Sequence, residues 1–339
     1  MLRMLQFPAP VRRGDRIGVT SPSAGVTGPA AARIDFCIRW LREAGFDVVV
    51  GELMDGTGIT SGPAADRAAE LTAMLCDPTI RCVIPPWGGE TAIDMVDLLD
   101  WDALAVAEPT WLVGFSDLST LLLPLTTRLG WATVHGDNLA DTPYEQPEGL
   151  LSWLEVVAGT GPHRQRDSGL ITDWWRFEED PRATRWKTAG EGQWALHGSD
   201  SLHVTGRLIG GCVETVCNLA GTPYGDVAAF GRAHAEDGLI VYVEVAGHDA
   251  ATICRNLHGL RLAGWFDHAR AVLVGRTSAP DHPDLSQREA VLDALGRLEI
   301  PIVFDMEIGH VPPHLPLVNG ALATLTIDGD LREIVQRLG

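Results

Sequence analysis

Thr110-Trp111-Leu112-Val113-Gly114-Phe115-Ser116-Asp117 passes from an apolar β-type run straight into a helix-period stretch over 118–129. A strand that becomes a helix within three residues needs a tight corner, and Gly114 supplies the backbone freedom for it. The same unit recurs upstream. Arg16-Ile17-Gly18-Val19-Thr20 reads as a strand that leads through Ser21-Pro22-Ser23-Ala24-Gly25 to a helical pattern over 30–44. The next strand covers 47–50 and the next helix 64–75, where Asp77-Pro78 stops it. Arg81-Cys82-Val83-Ile84-Pro85 is a further strand, ending in Pro86-Trp87-Gly88-Gly89, with a helical stretch over 92–99 behind it. This alternation predicts an α/β domain whose parallel sheet is covered on both faces. Sites in such sheets form at the carboxyl ends of strands, so the loops at Ser21, Trp87 and Ser116 should gather on one edge.

The rhythm fails between Pro143 and Leu202, where Trp153, Trp174, Trp175, Trp186 and Trp194 stand among many charges. A connection this long usually carries function or disorder, and so many tryptophans argue against disorder. A second α/β unit starts near Val204, with strands expected over 239–243, 271–274 and 302–304 and helices over 250–263 and 286–298. Residues 321–327 alternate like an edge strand. The reading is therefore an α/β protein in three parts: an N-terminal nucleophile domain (1–145), a connecting segment (146–203) and a C-terminal domain (204–339).

With 339 residues, 45% of them hydrophobic and 21% charged, the chain can bury a sizeable core. A formal net charge of −19 argues against a nucleic-acid partner, which needs a basic face. No apolar run is long enough for a membrane span and the N-terminus lacks a secretory core, so a cytoplasmic address is expected. The six cysteines form no C-x-x-C pair and read as reduced thiols.

Four stretches carry chemistry. Ser116 sits near a helix N-terminus, where unpaired amides and the helix dipole favour an attacking alkoxide. The stretch resembles a G-x-S-x-G elbow with Leu118 in the last position, although Ser116 or Asp117 would serve equally as a helix cap. Gly88-Gly89 lets backbone amides approach a ligand closely, as an oxyanion hole requires, or is an ordinary turn. Glu244 ends the apolar run Val241-Tyr242-Val243, a costly place for a carboxylate unless it is solvated or paired. His310 and His314 lie in the proline-stiffened Gly309-His310-Val311-Pro312-Pro313-His314, where a general base could be held still. Their spacing could suit a metal, but no Cys or acidic cluster accompanies them, so neither metal nor cofactor is expected. Ser, Glu and His in this order, each beside a strand end, supply the parts of a base-assisted serine mechanism.

At these residues the chain resembles the serine peptidases of the LD-carboxypeptidase family, particularly the branch of the microcin C immunity proteins. The matching stretches are Gly14-Asp15-Arg16-Ile17-Gly18-Val19 with Ser21-Pro22-Ser23, then Trp87-Gly88-Gly89, and Gly114-Phe115-Ser116-Asp117. Gly206-Arg207-Leu208-Ile209-Gly210-Gly211, Glu244, and Gly309-His310 with Leu315-Pro316-Leu317-Val318-Asn319-Gly320 complete them. Val318 departs from the proline usual there.

The resemblance implies a Ser116–Glu244–His310 triad and an oxyanion hole from the amides of Gly88, Gly89 and Asp117. It also implies a Rossmann-like first domain, a C-terminal β/α domain and a metal-free homodimer. In that branch a longer loop between the domains stacks an aromatic ring on the substrate's base, and 173–196 offers the length, with Trp175 and Trp186 as candidates. The expected activity is amide hydrolysis through an acyl-enzyme on an aminoacyl-nucleotide or related peptidyl substrate. The alternatives are removal of the terminal D-alanine from a peptidoglycan tetrapeptide, and a non-catalytic protein that sequesters its ligand.

Overall fold

The computed structural model describes residues 4–56, 59–174, 176–177 and 179–339. The first sheet is built from β1 (Arg16–Val19), β2 (Asp47–Val50), β3 (Ile80–Val83), β4 (Trp111–Gly114) and β5 (Thr133–His135). The connecting segment adds β6 (His163–Arg166), β7 (Leu170–Asp173), β8 (Lys187–Glu191) and β9 (Ala195–His197). The remaining strands are β10 (Leu202–Cys212), β11 (Leu239–Glu244), β12 (Ala269–Gly275), β13 (Ile302–Met306), β14 (Leu317–Asn319), β15 (Leu322–Asp328) and β16 (Leu331–Arg337).

In the first sheet the order is β14-β5-β4-β3-β1-β2, with β1 to β5 parallel and β14 antiparallel on β5. The helix Pro29–Glu43 buries Ile34, Cys37, Ile38 and Leu41 in a cluster with Ile17, Val48, Val113 and Val134. Two details differ from the sequence reading. Over 92–99 only a 3-10 turn forms, Ala92–Met95, and the helix starts later, at Trp101–Val106. Asp100 moves it there by accepting the Ala103 amide at 2.9 Å, a stronger start signal than any in the stretch before it. β5 has three residues, too few for a period to show.

The second sheet runs β6-β16-β15-β10-β11-β12-β13-β9. Its parallel centre is β10 to β13, and the connecting segment supplies both edges, β6 on β16 and β9 on β13. β15 is consequently an interior strand between β10 and β16, not the edge strand expected from its alternation. Its alternation reports one solvated face, since every second residue is buried, and carries no information about position in the sheet.

The same segment is pinned beside the loop that carries His310. Ser168 donates its N–H and its hydroxyl to Glu307 Oε1 at 3.0 and 2.8 Å, and the buried Trp194 indole donates to the other oxygen. Val318 gives its N–H to Gln336 Oε1 at 2.8 Å, a bond that a proline in that place could not make. Leu123, on the helix Ser119–Leu129, packs into the core of the second sheet, and Ser119 Oγ accepts the Cys212 amide at 3.1 Å. The carboxyl ends of β4 and β11 thus face each other across the domain boundary. All six cysteines are free, and Cys76, Cys217 and Cys254 are only partly buried. No helix among the described residues is long and apolar enough to cross a membrane.

Candidate active site

β4 ends at Gly114, which has φ 156°; a Cβ there would meet Leu118 Cδ1 at 2.3 Å and Asn138 Oδ1 at 2.8 Å. Phe115 then gives its N–H to Asn138 Oδ1 at 3.2 Å, and Ser116 takes the left-handed conformation with φ 65°. That conformation costs a non-glycine residue about 1–2 kcal/mol. A left-handed serine between a strand and a helix has the backbone geometry of a nucleophile elbow.

From the other domain come Glu244, the last residue of β11, and His310, on the loop between β13 and β14. His310 Nε2 lies 3.0 Å from Ser116 Oγ, and His310 Nδ1 lies 2.8 Å from Glu244 Oε2. The three residues singled out in the sequence therefore converge, with Ser116 and His310 separated by 194 positions in the chain. Glycines make the fit possible. A Cβ on Gly309 would stand 2.3 Å from Glu244 Oε2, and one on Gly275 would stand 2.9 Å from Glu244 Cβ.

Burial by itself would raise the carboxyl pKa of Glu244, but the charge on His310 and the neighbouring imidazole of His135 hold it far below the usual carboxylate range. Burial also opposes charge on His310. The Glu244 carboxylate, helped by Glu214 and Asp141, outweighs that and raises the imidazole above its ordinary value. The site therefore holds an ionised carboxylate behind an imidazole that accepts a proton readily.

Gly88 lies against the elbow, where a Cβ would come within 2.9 Å of both the Asp117 amide nitrogen and Ser116 Cβ. Gly89 has φ 147° and packs on Ser23. The buried Asp117 carboxylate accepts the Ser23 hydroxyl at 2.6 Å and the Ala92 amide at 2.8 Å. Three strand-end loops are thereby tied together at one edge, as the parallel sheet led us to expect. In front of Ser116 opens a cavity of about 470 Å³, with Glu90, Glu214, Asn218 and His248 along its walls. No lysine or arginine lines it among the described residues.

His314 does not join His310; its Nδ1 pairs with the buried Asp137, so the two histidines of the loop go to different partners. Asp141 next to it is pushed up to about 6, by burial first, with His314 opposing. Trp174 donates its indole N–H to Asp141 Oδ1 at 2.8 Å. Trp186 stacks on Tyr144 at 4.1 Å between centroids and meets the edge of His314 at 5.7 Å. Trp175 lies outside the described residues. A second cavity of about 440 Å³ is lined by Arg33, Tyr144, Trp174, Arg176, Phe177 and Lys187.

Sequence reasoning missed His135, whose Nε2 lies 3.7 Å from Glu244 Oε1, and Glu214, whose Oε1 accepts the amides of Ala246, Gly247 and His248 at 2.9, 2.9 and 3.1 Å. His135 belongs to the strand too short to detect. Glu214 follows the glycine pair of β10 and reads as an ordinary helix-start acid.

Comparison with known proteins shows the family of the chain. The LD-carboxypeptidase N-terminal domain description matches residues 17–136, and its C-terminal counterpart matches 205–325. A chain from Streptomyces coelicolor, provisionally named a carboxypeptidase, is 31% identical over 331 residues, covering 96% of this chain and 95% of that one. The microcin C7 self-immunity protein of Escherichia coli is 28% identical over 341 residues, covering 96% and 94%. A solved structure of a microcin C7 self immunity protein variant in complex with adenosine monophosphate superposes with a TM-score of 0.83 at 25% identity, over 98% of this chain and 99% of that one. The same protein has been solved in complex with aspartyl sulfamoyl adenosine. On the two matched halves, and on the likeness along nearly its whole length, this chain belongs to the LD-carboxypeptidase family of serine peptidase-like hydrolases.

Proposed function

We propose that the chain hydrolyses the amide joining an aminoacyl group to a nucleotide-like moiety, through an acyl-enzyme on Ser116. The observation that carries this reading is the continuous contact from Ser116 Oγ through His310 to Glu244, at 3.0 and 2.8 Å, at the mouth of a cleft. His310 Nε2 accepts the serine proton as Oγ attacks the carbonyl carbon. The oxyanion is held by amides of the Gly88-Gly89 turn and of Asp117. His310 then returns the proton to the leaving nitrogen, and a water attacks the ester with His310 as base. Glu244 stays ionised throughout and fixes the imidazole with its proton on Nδ1.

Two features support the substrate class. The self-immunity relative binds adenosine monophosphate and an aminoacyl sulfamoyl nucleoside. In this chain the aromatic cavity joins the elbow through touching rings: Trp174 lies 5.8 Å from His314, and His314 lies 5.0 Å from Phe115, the neighbour of Ser116. The planar rings of Tyr144, Trp174 and Phe177 lining that cavity suit a flat base.

The family's name favours a second reading, removal of a terminal D-residue from a peptidoglycan peptide. The free carboxylate of such a substrate would face Glu90 and Glu214 without a lysine or arginine on the cleft wall, which weighs against it. Incubation with alanyl-sulfamoyladenosine and, separately, with a muropeptide tetrapeptide, read by mass spectrometry, separates the two. The first reading expects sulfamoyladenosine release that Ser116→Ala abolishes. Release of D-alanine alone would replace it with the second, and turnover of neither would refute both.

A further inference from the structure

Glu244 has two oxygens, and only one is accounted for by His310. Oε2 lies 2.8 Å from His310 Nδ1, whereas Oε1 is buried and makes no hydrogen bond among the described residues. The atom facing Oε1 is Nε2 of His135, at 3.7 Å, and that nitrogen is likewise buried without a hydrogen bond. His135 is 1% exposed and Glu244 is 0% exposed, so neither orphan has bulk solvent as a partner. A buried unpaired carboxylate oxygen and a buried unpaired imidazole nitrogen are each costly, and here they point at one another. The gap is less than an ångström longer than the bond on the other oxygen.

The fold holds His135 in this position. It is the last residue of β5, in register with Gly114 at the end of β4 and with Leu317 of β14. Its ring meets Tyr242 edge-on at 5.1 Å and Phe115 at 6.3 Å, so the packing around the elbow fixes its plane. It therefore reaches Glu244 from the first domain, while His310 reaches it from the second.

We propose that His135 is a positioning residue: its Nε2–H serves the second oxygen of Glu244, and the relay runs Ser116–His310–Glu244–His135 across the domain boundary. When His310 becomes an imidazolium, its partner carboxylate must stay ionised and keep its orientation. A donor on Oε1 does both. His135 touches no reacting atom and acts through Glu244. The inference rests on the serine-hydrolase reading but not on its substrate.

The test uses His135→Phe and His135→Gln in the full chain, with Gln retaining an N–H at similar reach. The readouts are the rate of Ser116 phosphonylation by a neutral fluorophosphonate against pH, and the melting temperature. The charged and titratable groups facing His310 are Glu244, Glu214, Asp141 and His314, and none is altered. Removing the donor behind Glu244 leaves a more negative field at His310. His135→Phe is therefore expected to lower the rate on the order of tenfold and to move the acid limb to higher pH. His135→Gln should restore both in large part. A folded His135→Phe variant with an unmoved acid limb and a rate within about twofold of the parent would overturn the proposal.

A second measurement needs no His135 variant. The imidazole ¹⁵N signals of His135 in the parent and in Glu244→Gln should differ if Nε2 serves that carboxylate, and identical signals would overturn the proposal. Absence of phosphonylation in the parent would refute Ser116 as nucleophile, and the NMR comparison would still decide the role of His135.

Discussion

Replacing Glu244 by Gln keeps the shape of the side chain and removes its charge, so it isolates what the carboxylate does for His310. In the parent, Nδ1 lies 2.8 Å from Glu244 Oε2. With charge centres about 4 Å apart, an effective dielectric of about 20 gives an attraction of ~4 kcal/mol for the imidazolium. Burial of the imidazole works against that attraction, and the carboxylate outweighs it. The glutamine amide can also donate to Nδ1, which moves the ring proton to Nε2 and turns a donor toward Ser116. Both effects act on the same step. The expected loss in kcat is on the order of 10³- to 10⁴-fold, as for the wrong tautomer in other serine hydrolases.

The acid limb of kcat/KM should fall as well, because His310 loses the charge that raises its pKa. In the parent that limb is expected above the ordinary imidazole value, since the Glu244 carboxylate raises His310. The direction is opposite to that expected for His135→Phe, so the two variants separate loss of the charge from loss of the group behind it. The assay is release of sulfamoyladenosine from alanyl-sulfamoyladenosine across pH 5 to 9, with circular dichroism to establish the fold. Activity within tenfold of the parent, or an acid limb that stays in place, would show that the Glu244 charge does not govern His310.

Ser116→Ala and Ser116→Gly should both abolish turnover, but the glycine variant should be the more stable by about 1 kcal/mol, since only it relieves the left-handed corner. Denaturant unfolding of the two variants measures the difference. Lysyl- and alanyl-sulfamoyladenosine should be cleaved at least several-fold faster than the aspartyl compound, because Glu90 and Glu214 line the cleft. The margin should narrow as salt is added, and a faster aspartyl substrate would count against the cleft's charge as a selector. Trp174→Ala should raise KM roughly 5- to 150-fold with kcat little changed, as expected when ~1–3 kcal/mol of stacking on a base is lost. Steady-state kinetics that show a loss in kcat alone would move Trp174 out of substrate binding.

Much of the architecture was legible because its signals are local. The strand-to-helix corners at Ser21, Trp87 and Ser116 could be read from apolar runs that end in small residues, and the parallel sheet followed. The convergence of Ser116, Glu244 and His310 was legible only as a set, because each alone has an ordinary structural explanation. His135 escaped because a three-residue strand has no measurable period and its partner lies in the other domain. The role of β15 escaped for a related reason. Alternation reports which face is wet, while strand order depends on β16 and on β6, which arrives from the connecting segment. The aromatic loop was visible as composition, but which face Trp186 offers is set by Tyr144, 42 residues earlier in the chain, and no local pattern encodes that stack.

The proposed chemistry requires Ser116 to attack and His310 to activate it. The most direct measurement is peptide mapping by mass spectrometry after brief treatment of the parent, Ser116→Ala and His310→Ala with a fluorophosphonate. The expected result is a single adduct, on Ser116, absent from the first variant and formed at least a hundredfold more slowly in the second. An adduct on another residue, or labelling of Ser116 at an undiminished rate without His310, would contradict it.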